Sequence, residues 1–284
     1  MPVFALFTQN PLLFVGVASL FGLLLGSFLN VVIHRVPRML EREWQEQCAW
    51  VEGKTRAASP PYNLFFPAST CPHCGHLIRW YENIPILSWL FLRGRCAQCR
   101  ERIAWRYPLV EIVCSVLFAS AAWQWGARVE VLWVWGLLAT LLALTFIDFD
   151  TQLLPDNMTL PLAWAGLLAN LSGSFVPLDE AVVGAVAGYL SLWSVYHVFR
   201  LLTGKEGMGF GDFKLLAALG AWLGWKMLLP IILMASLSGA VIGIALIALH
   251  RHQSSQPMPF GPWLALAGGA AVFWGDTLLS VWLG

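Results

Sequence analysis

Long, nearly uncharged apolar segments recur along most of the chain, separated by short polar ones. Seven approach the roughly 20 residues that a helix needs to cross a bilayer: 12–33, 108–127, 131–147, 158–178, 181–199, 227–249 and 262–283. An eighth, 215–225, has only 11 uncharged residues between Lys214 and Lys226, which predicts a short span or a re-entrant segment. The pattern therefore predicts about eight transmembrane helices.

Composition supports a membrane protein. The 284 residues are 58% hydrophobic and 12% charged, and the mean hydropathy is +0.67. A soluble domain averages about 45–50% apolar and about 25% charged residues, so we expect an all-α polytopic membrane protein. The net charge of +1 gives no overall attraction to nucleic acid.

Basic residues are concentrated in one stretch, which predicts the orientation. Residues 35–107 hold 11 of the 17 Lys and Arg: Arg35, Arg38, Arg42, Lys54, Arg56, Arg79, Arg93, Arg95, Arg100, Arg102 and Arg106. The positive-inside rule places this stretch in the cytoplasm. No basic residue precedes the first apolar segment, so we expect a permanent anchor rather than a cleaved signal peptide. Counting spans then puts Asp148 and Asp212 both near the cytoplasmic side.

These patterns predict three parts. Residues 1–34 form an N-terminal transmembrane anchor, 35–107 a cytoplasmic domain and 108–284 a transmembrane helical core. We expect residues 41–67, with Pro60-Pro61, to be an irregular linker. If 212–226 crosses the bilayer, the next span returns His250-Arg251-His252 to the cytoplasm, which favours eight spans over seven.

Four cysteines have the spacing of a zinc ribbon. Cys71 and Cys74 form one C-x2-C pair, and Cys96 and Cys99 form a second after 21 intervening residues. Four thiolates close a tetrahedral Zn²⁺ site, so the site would be structural. The alternatives are a redox C-x-x-C or free buried cysteines.

Other residues near the cysteine pairs are weaker ligand candidates. His73 or His76 could replace a cysteine, whereas Cys48 and Cys114 have no partner at a useful spacing. The intervening residues 80–89 (WYENIPILSW) are apolar and aromatic. They suit packing on a membrane surface or a peptide better than binding nucleic acid.

Asp148 ends a very apolar segment, in the sequence IDFD over residues 147–150. A carboxylate at membrane depth costs about 2.5–3.5 kcal/mol, so it is a functional candidate. Depth favours Asp148 only slightly over Asp150. The alternative is that Asp148, Asp150 and Asp156 are interfacial acids at helix ends, with Pro155 starting the next helix.

Asp212 follows a glycine-rich sequence, GMGFGD over residues 207–212. Glycines permit an irregular backbone, which membrane proteins tolerate where it lines a cavity or is buried. The alternative is that Asp212 is a helix N-cap, and both roles are compatible. If Asp148 and Asp212 meet, they could share a proton and a water, as in aspartyl proteolysis.

The chain resembles the bacterial type IV prepilin leader peptidases, which are also N-methyltransferases. The resemblance covers essentially the whole chain. It rests on GSFLNVVIHRVP (26–37), CPHCGH (71–76), ENIP (82–85), CAQC (96–99), RYPLVE (106–111), IDFD (147–150), LPD (154–156), GKEGMGFGDFK (204–214) and PFGP (259–262).

The resemblance implies an aspartyl protease of the GxGD type with Asp148 and Asp212 as its catalytic pair. It implies cleavage of the basic leader of prepilins and of type II secretion pseudopilins, at the cytoplasmic side of the inner membrane. Methylation of the new N-terminal residue by S-adenosylmethionine would follow. The four cysteines match the family's zinc-binding cytoplasmic domain.

The methyl-transfer site is harder to identify. Glu82, Asn83 and Gly94 are candidates, although Gly94 between Arg93 and Arg95 also fits an ordinary turn residue. Two different functions compete with the peptidase. One is a proton-coupled transporter that uses Asp148 and Asp212 as a relay, for which the expected inverted repeats are not evident. The other is a zinc-ribbon scaffold without chemistry.

Overall fold

The structure is a computed structural model that describes residues 2–53, 61–249 and 258–283. In this part of the chain the regular elements are helices, and extended backbone pairs only at two isolated bridges, Thr70–Leu77 and Arg95–Arg102. The helices are α1 (Pro2–Gln9), α2 (Pro11–Val51), α3 (Leu87–Phe91), α4 (Arg106–Trp125), α5 (Val129–Thr151), α6 (Asp156–Asn170), α7 (Leu178–Thr203), α8 (Phe210–Leu223), α9 (Leu228–Ala248) and α10 (Gly261–Leu283).

Six helices among the described residues are long and apolar enough to cross a membrane: α2, α4, α5, α7, α9 with the turn before it, and α10. Helices α6 and α8 have 15 and 14 residues and reach only about 21–23 Å. The eight predicted spans thus correspond to six long helices and two short ones. The all-α polytopic membrane fold is confirmed. Residues 250–252, used in the span count, lie outside the described residues.

The predicted linker is wrong over its first part. Helix α2 continues through Pro37 to Val51, so residues 41–51 are helical. The sequence from Arg38 onward is rich in Arg, Glu and Gln, whose helix propensities are high, and it extends a helix already nucleated in the apolar segment. Residues 54–60 of the predicted linker lie outside the described residues.

The helices cluster into two compact units, Met1–Ala127 and Arg128–Gly284. The division into an anchor, a cytoplasmic domain and a core stays a prediction. In the first unit α2 packs on α4 through Gly22 and Gly26, four residues apart on one face of α2. A Cβ at Gly22 would lie 2.8 Å from the Cα of Ser115, and one at Gly26 2.7 Å from the Cα of Glu111. Small residues at this spacing let membrane helices approach closely.

The second unit repeats this device between α7 and α8. A Cβ at Gly184 would collide with the carbonyl of Gly220, and one at Gly188 would lie 2.7 Å from the carbonyl oxygen of Leu216. Helix α8 is buried along most of its length, and Phe213, Leu215 and Leu219 have no exposed surface. Contact on all sides fixes the position of α8 and therefore of Asp212 in its first turn.

A buried amide fixes the opposite end of α8. The Asn170 side chain donates to the carbonyls of Ala221 and Trp222 and accepts the N–H groups of Phe175 and Val176. All four of its hydrogen-bonding positions are thus used, so its burial carries no unpaired polar atom.

Candidate active site and metal centre

Asp148 lies in the last turn of α5 and is 4% exposed. The helix ends at Gln152, which adopts the left-handed conformation with φ 54° and donates its N–H to the carbonyl of Asp148 at 2.9 Å. The backbone N–H of Gly261, at the start of α10, donates to the Asp148 carboxylate. A buried carboxylate therefore has a fixed donor from a second helix.

Asp212 is 7% exposed and is the third residue of α8, whose N-cap is Gly209. The alternative role of Asp212 as the N-cap residue itself is therefore wrong. The backbone N–H of Gly209 instead faces the Asp212 carboxylate from the N-cap position. Asp212 thus stabilises the helix start and is also held in place by it.

The two carboxyl groups lie close enough for the charge of Asp148 to act on Asp212. Leu154, in the turn after α5, fills the space beside both. A Cβ at Gly211 would lie 2.6 Å from the Cβ of Leu154, and one at Gly261 would lie 2.5 Å from Asp148 Oδ2 and 2.9 Å from Leu154 Cδ1. Three segments that are distant in sequence therefore converge, and glycines leave the room for them.

Burial separates the three acids that the sequence left unresolved. Asp148 is buried, whereas Asp150 is exposed. Asp156 is exposed and forms an ion pair with Lys214, with Nζ–Oδ1 2.6 Å. The structure thus brings Asp148, not Asp150 or Asp156, together with Asp212. Two neighbouring buried carboxyl groups can hold one proton between them, so that one acts as an acid and the other as a base.

The four predicted metal ligands also come together. The Sγ atoms of Cys71, Cys74, Cys96 and Cys99 all lie within 4.8 Å of one another. The Cys71–Cys99 distance is 3.8 Å and the Cys74–Cys96 distance is 3.9 Å. Four sulfurs at about 2.3 Å from a tetrahedral Zn²⁺ are about 3.8 Å apart, so the cluster fits this ion.

Two turns with the same hydrogen bonds present these thiols. The N–H of Cys71 donates to His76 O and that of Gly75 to Cys71 O; the N–H of Cys96 donates to Glu101 O and that of Arg100 to Cys96 O. Gly75 and Arg100, at equivalent positions, have φ 71° and 62°. Each C-x2-C pair therefore sits on a tight turn, as its spacing predicts, and the residue after each pair has a left-handed backbone conformation.

Backbone donors prepare the second turn for a metal. The N–H groups of Cys99 and Gln98 donate to the Cys96 sulfur and lower the pKa of that thiol. At Cys99 the Glu101 N–H acts in the same direction, but burial and the neighbouring thiols raise the pKa of the Cys99 thiol overall. A lower pKa favours the thiolate, which is the form that binds metals. His76 is occupied elsewhere, since its Nε2 lies 3.0 Å from Glu82 Oε2, so a cysteine-only site is favoured over one with histidine.

Residues 70–103, which hold the four cysteines, are called the ribbon. Two of the three methyl-transfer candidates have structural roles within it. The backbone N–H of Arg79 donates to Glu82 Oε2 at 2.9 Å, and this bond and then His76 lower the pKa of the Glu82 carboxyl. Gly94 has φ 64°, and a Cβ there would lie 2.8 Å from the Trp89 ring, as the turn-residue alternative expects. Asn83 is exposed. A role for these residues in methyl transfer stays a prediction.

Sequence reasoning missed three residues of the aspartate site. Gly261 and Leu154 lie in motifs that carry only the resemblance, and no pattern in the sequence directs the Gly209 N–H at Asp212. The Gly-Pro dipeptide at 261–262 carries the signal for Gly261, because proline is favoured at the start of a helix, where the first N–H groups have no partner within the helix. No pattern predicts which carboxylate that partner is.

Comparison with known families matches two models in succession. Residues 20–125 match the Bacterial Peptidase A24 N-terminal domain, and residues 135–244 match the Type IV leader peptidase family. The comparison with solved structures gave no match.

Curated relatives match over nearly the whole chain. A prepilin leader peptidase/N-methyltransferase of Aeromonas hydrophila is 55% identical and is aligned over 96% of this chain and 95% of its own. Proteins of the same name from Stutzerimonas stutzeri and Pseudomonas aeruginosa are 52% and 50% identical, with 97% and 100% of this chain and 96% and 98% of theirs aligned. The resemblance found in the sequence is confirmed, and the chain belongs to the type IV leader peptidase family.

Proposed function

We propose that this protein is a membrane aspartyl endopeptidase and N-methyltransferase. It removes the leader of type IV prepilins and type II secretion pseudopilins at the cytoplasmic side of the inner membrane. It then methylates the new N-terminal residue with S-adenosylmethionine. Relatives with more than half of their residues identical carry both activities in their name, which favours this function over a transporter or a scaffold.

The observation that carries the protease assignment is the pair of buried carboxyl groups, Asp148 and Asp212. Each faces the backbone N–H of a glycine, Gly261 for Asp148 and Gly209 for Asp212. These donors come from the main chain, so they hold the carboxyl groups in place without side-chain rearrangement. Fixed groups directed at the reacting atoms are what electrostatic catalysis requires.

In the proposed reaction the two carboxyl groups hold a water between them. The ionised carboxylate takes a proton from the water, and the water oxygen attacks the scissile carbonyl carbon. The protonated carboxyl donates its proton to the carbonyl oxygen. Collapse of the tetrahedral intermediate breaks the C–N bond, and a proton returned to nitrogen releases the mature amine and the leader carboxylate.

Glycines beside Asp212 suit the approach of a substrate backbone. Gly209 has an extended conformation, φ −81° and ψ 149°, and a Cβ there would meet no atom nearer than Asp212 Oδ2 at 3.8 Å. A glycine before the scissile bond of the substrate would likewise let its chain bend into the site. The backbone of the substrate would thus approach the backbone of Gly209 beside Asp212.

The metal and the methyl donor have separate roles in this proposal. Cys71, Cys74, Cys96 and Cys99 would hold structural Zn²⁺, which stabilises a segment too small to fold on its own core. S-adenosylmethionine supplies the methyl group. Glu82, Asn83 and Gly94 remain the candidates for its site, and only Asn83 has a side chain not used in the contacts described above.

Replacing either carboxyl group tests the protease assignment. Asp148→Asn and Asp212→Asn keep shape but remove the acid–base pair, so we expect cleavage of a prepilin by the full-length protein in proteoliposomes to fall by about 10⁴-fold or more. Mass spectrometry of the substrate measures loss of the leader. Asp150→Asn is the matched control and should cleave normally.

Methylation of an already cleaved pilin distinguishes a catalytic effect from misfolding. Both asparagine variants should still add one methyl group to that substrate, because the proposed methyl-transfer candidates lie in the other compact unit. Near-normal cleavage by either variant would refute the assignment of that residue.

A further inference from the structure

The short helix α3 of the ribbon has two different faces. On one, Trp89 packs against Gly94 and its indole N–H donates to the carbonyl of Ile103 at 3.4 Å. On the other, Leu87, Leu90 and Phe91 are exposed, at i, i+3 and i+4, and Phe91 is 84% exposed. Three large apolar side chains on one side of a five-residue helix form a patch that nothing among the described residues covers.

A strained turn attaches this helix to α4. Ile86 has φ 58° and ψ −50° and lies at the centre of a γ-turn closed by Leu87 N–H and Pro85 O. A β-branched residue is rarely found there. The Ile86 N–H donates to Glu111 Oε2 at 2.7 Å, and Glu111 is buried. The hydrogen bond to this buried acceptor offsets the strain, and it holds the ribbon at a fixed position along α4.

The position on α4 at which Ile86 is attached corresponds to the membrane boundary. Helix α4 has 20 residues, about 30 Å, which equals the thickness of the hydrocarbon core. Glu111 lies five residues from the start of α4, or about 7.5 Å along the axis. Helical side chains point toward the N-terminus, so its carboxylate and Ile86 lie nearer the start of the span. Helix α3 is therefore at the depth where interfacial helices lie.

Charge around the patch matches an anionic lipid surface. Arg79, Arg93 and Arg95 are exposed in the segments that flank it, and Trp80, also exposed, is typical of membrane interfaces. Arginines beside an apolar face attract acidic headgroups. They would repel a basic leader peptide, which argues against the substrate leader as the occupant.

We propose that residues 84–91 are an interfacial membrane element. In it, Leu87, Leu90 and Phe91 insert among lipids at the membrane surface where α4 begins. The Glu111–Ile86 bond sets its depth, and the arginines contact lipid phosphates. The ribbon is thus a partly embedded domain and not one linked to the membrane only through α2 and α4. This inference does not depend on the catalytic roles of Asp148 and Asp212.

Oxidative footprinting of the unmodified protein tests the inference with a matched pair of residues. Phe91 is 84% and Trp50 83% exposed in the protein alone, but Trp50 lies 17 residues beyond Ile33, about 25 Å along α2. In nanodiscs of phosphatidylethanolamine and phosphatidylglycerol, we expect Phe91 to be oxidised about tenfold less than Trp50, after correction for intrinsic reactivity, because acyl chains exclude water. Equal oxidation would overturn the proposal.

Photocrosslinking identifies what covers the patch. The photoreactive p-benzoylphenylalanine replaces Phe91, Trp123 on the apolar surface of α4, or Gln98 in the second cysteine turn, one at a time in full-length protein. Lipid adducts at position 91 should approach those at 123 and exceed those at 98 by about tenfold. Adducts at 91 only to protein, or lipid adducts at the level of 98, would overturn the proposal. Metal content measured on each variant shows that the ribbon is folded.

Discussion

The cluster of four cysteines and the aspartate pair differ in how far apart their residues lie along the chain. All four thiols come from residues 71–99, on two turns with the same hydrogen bonds. The aspartate site needs the end of α5, the turn holding Leu154, the start of α8 and the start of α10. Local turns build the first site, and packing between distant helices builds the second.

This difference decides which changes harm each site. A locally built site with few apolar contacts depends on its metal, because the bound ion supplies the folding free energy. A site assembled from buried helices depends on close packing and tolerates few added atoms. Metal removal should therefore leave the aspartate site intact, and an added atom in the helix contacts should leave the cysteine site intact.

Metal removal should have the largest effect, and only on the ribbon. A strong chelator, or Cys74→Ser, should unfold the segment around the four cysteines, since structural zinc contributes roughly 10–16 kcal/mol of binding free energy. Hydrogen exchange read by mass spectrometry should show loss of protection over residues 70–103 and unchanged protection in α5 and α8.

Two other cysteines provide the controls for metal removal. Cys48 is exposed and Cys114 is buried in α4, and neither belongs to the cluster. Cys48→Ser and Cys114→Ala should therefore retain full zinc content by atomic absorption. Unfolding of α5 and α8 on chelation would contradict the independence of the two sites.

The ribbon was the part most fully predictable from sequence. The two-residue gaps between paired cysteines force tight turns, and the structure has those turns at Gly75 and Arg100. What could not be predicted is the attachment of Ile86 to Glu111. That bond joins a strained backbone to a residue of another element, and no periodicity records it.

Adding a methyl group at Gly261 should damage the aspartate site and little else in the protein. In Gly261→Ala the new Cβ would lie 2.5 Å from Asp148 Oδ2 and 2.9 Å from Leu154 Cδ1, so the carboxylate must move. Displacement of a catalytic group by about 1 Å costs on the order of 10²-fold in rate. Prepilin cleavage should fall by that factor while methylation of a cleaved pilin is retained.

Another glycine of the same helix is the control for Gly261. A Cβ at Gly269 would lie 3.9 Å from Leu138 Cδ2, an ordinary contact, so Gly269→Ala should cleave at the normal rate. If Gly261→Ala also cleaved normally, its N–H and its lack of a side chain would have no part in the site.

The aspartate site was only partly predictable. Apolar context and the GxGD sequence identified Asp148 and Asp212 as candidates, but spacing could not choose Asp148 over Asp150. Burial makes that choice, and burial depends on contacts with α8 and α10. The paired glycines of α7, Gly184 and Gly188, carry a recognisable small-xxx-small signal; their partner on α8 is known only from the structure.

Packing between α7 and α8 should be sensitive to one added carbon. In Gly184→Ala the Cβ would collide with the carbonyl of Gly220, and overpacking of this kind costs about 1–3 kcal/mol. The thermal unfolding midpoint of the detergent-solubilised protein should fall, and cleavage should fall with it as α8 shifts. Gly136→Ala in α5 meets no atom within 4 Å and should leave both unchanged.

The smallest expected effect concerns the hydrogen bond that joins Ile86 of the ribbon to Glu111 of α4. In Glu111→Ala the Ile86 N–H loses its partner, which costs about 1–3 kcal/mol, and the γ-turn loses the bond that offsets its strain. Glu111→Gln retains an acceptor oxygen and should behave nearly as the unmodified protein. Hydrogen exchange of residues 84–91 should therefore accelerate in the alanine variant only, with zinc content unchanged in both. Equal acceleration in both variants would mean that the negative charge of Glu111, and not its hydrogen bond, holds the ribbon on α4.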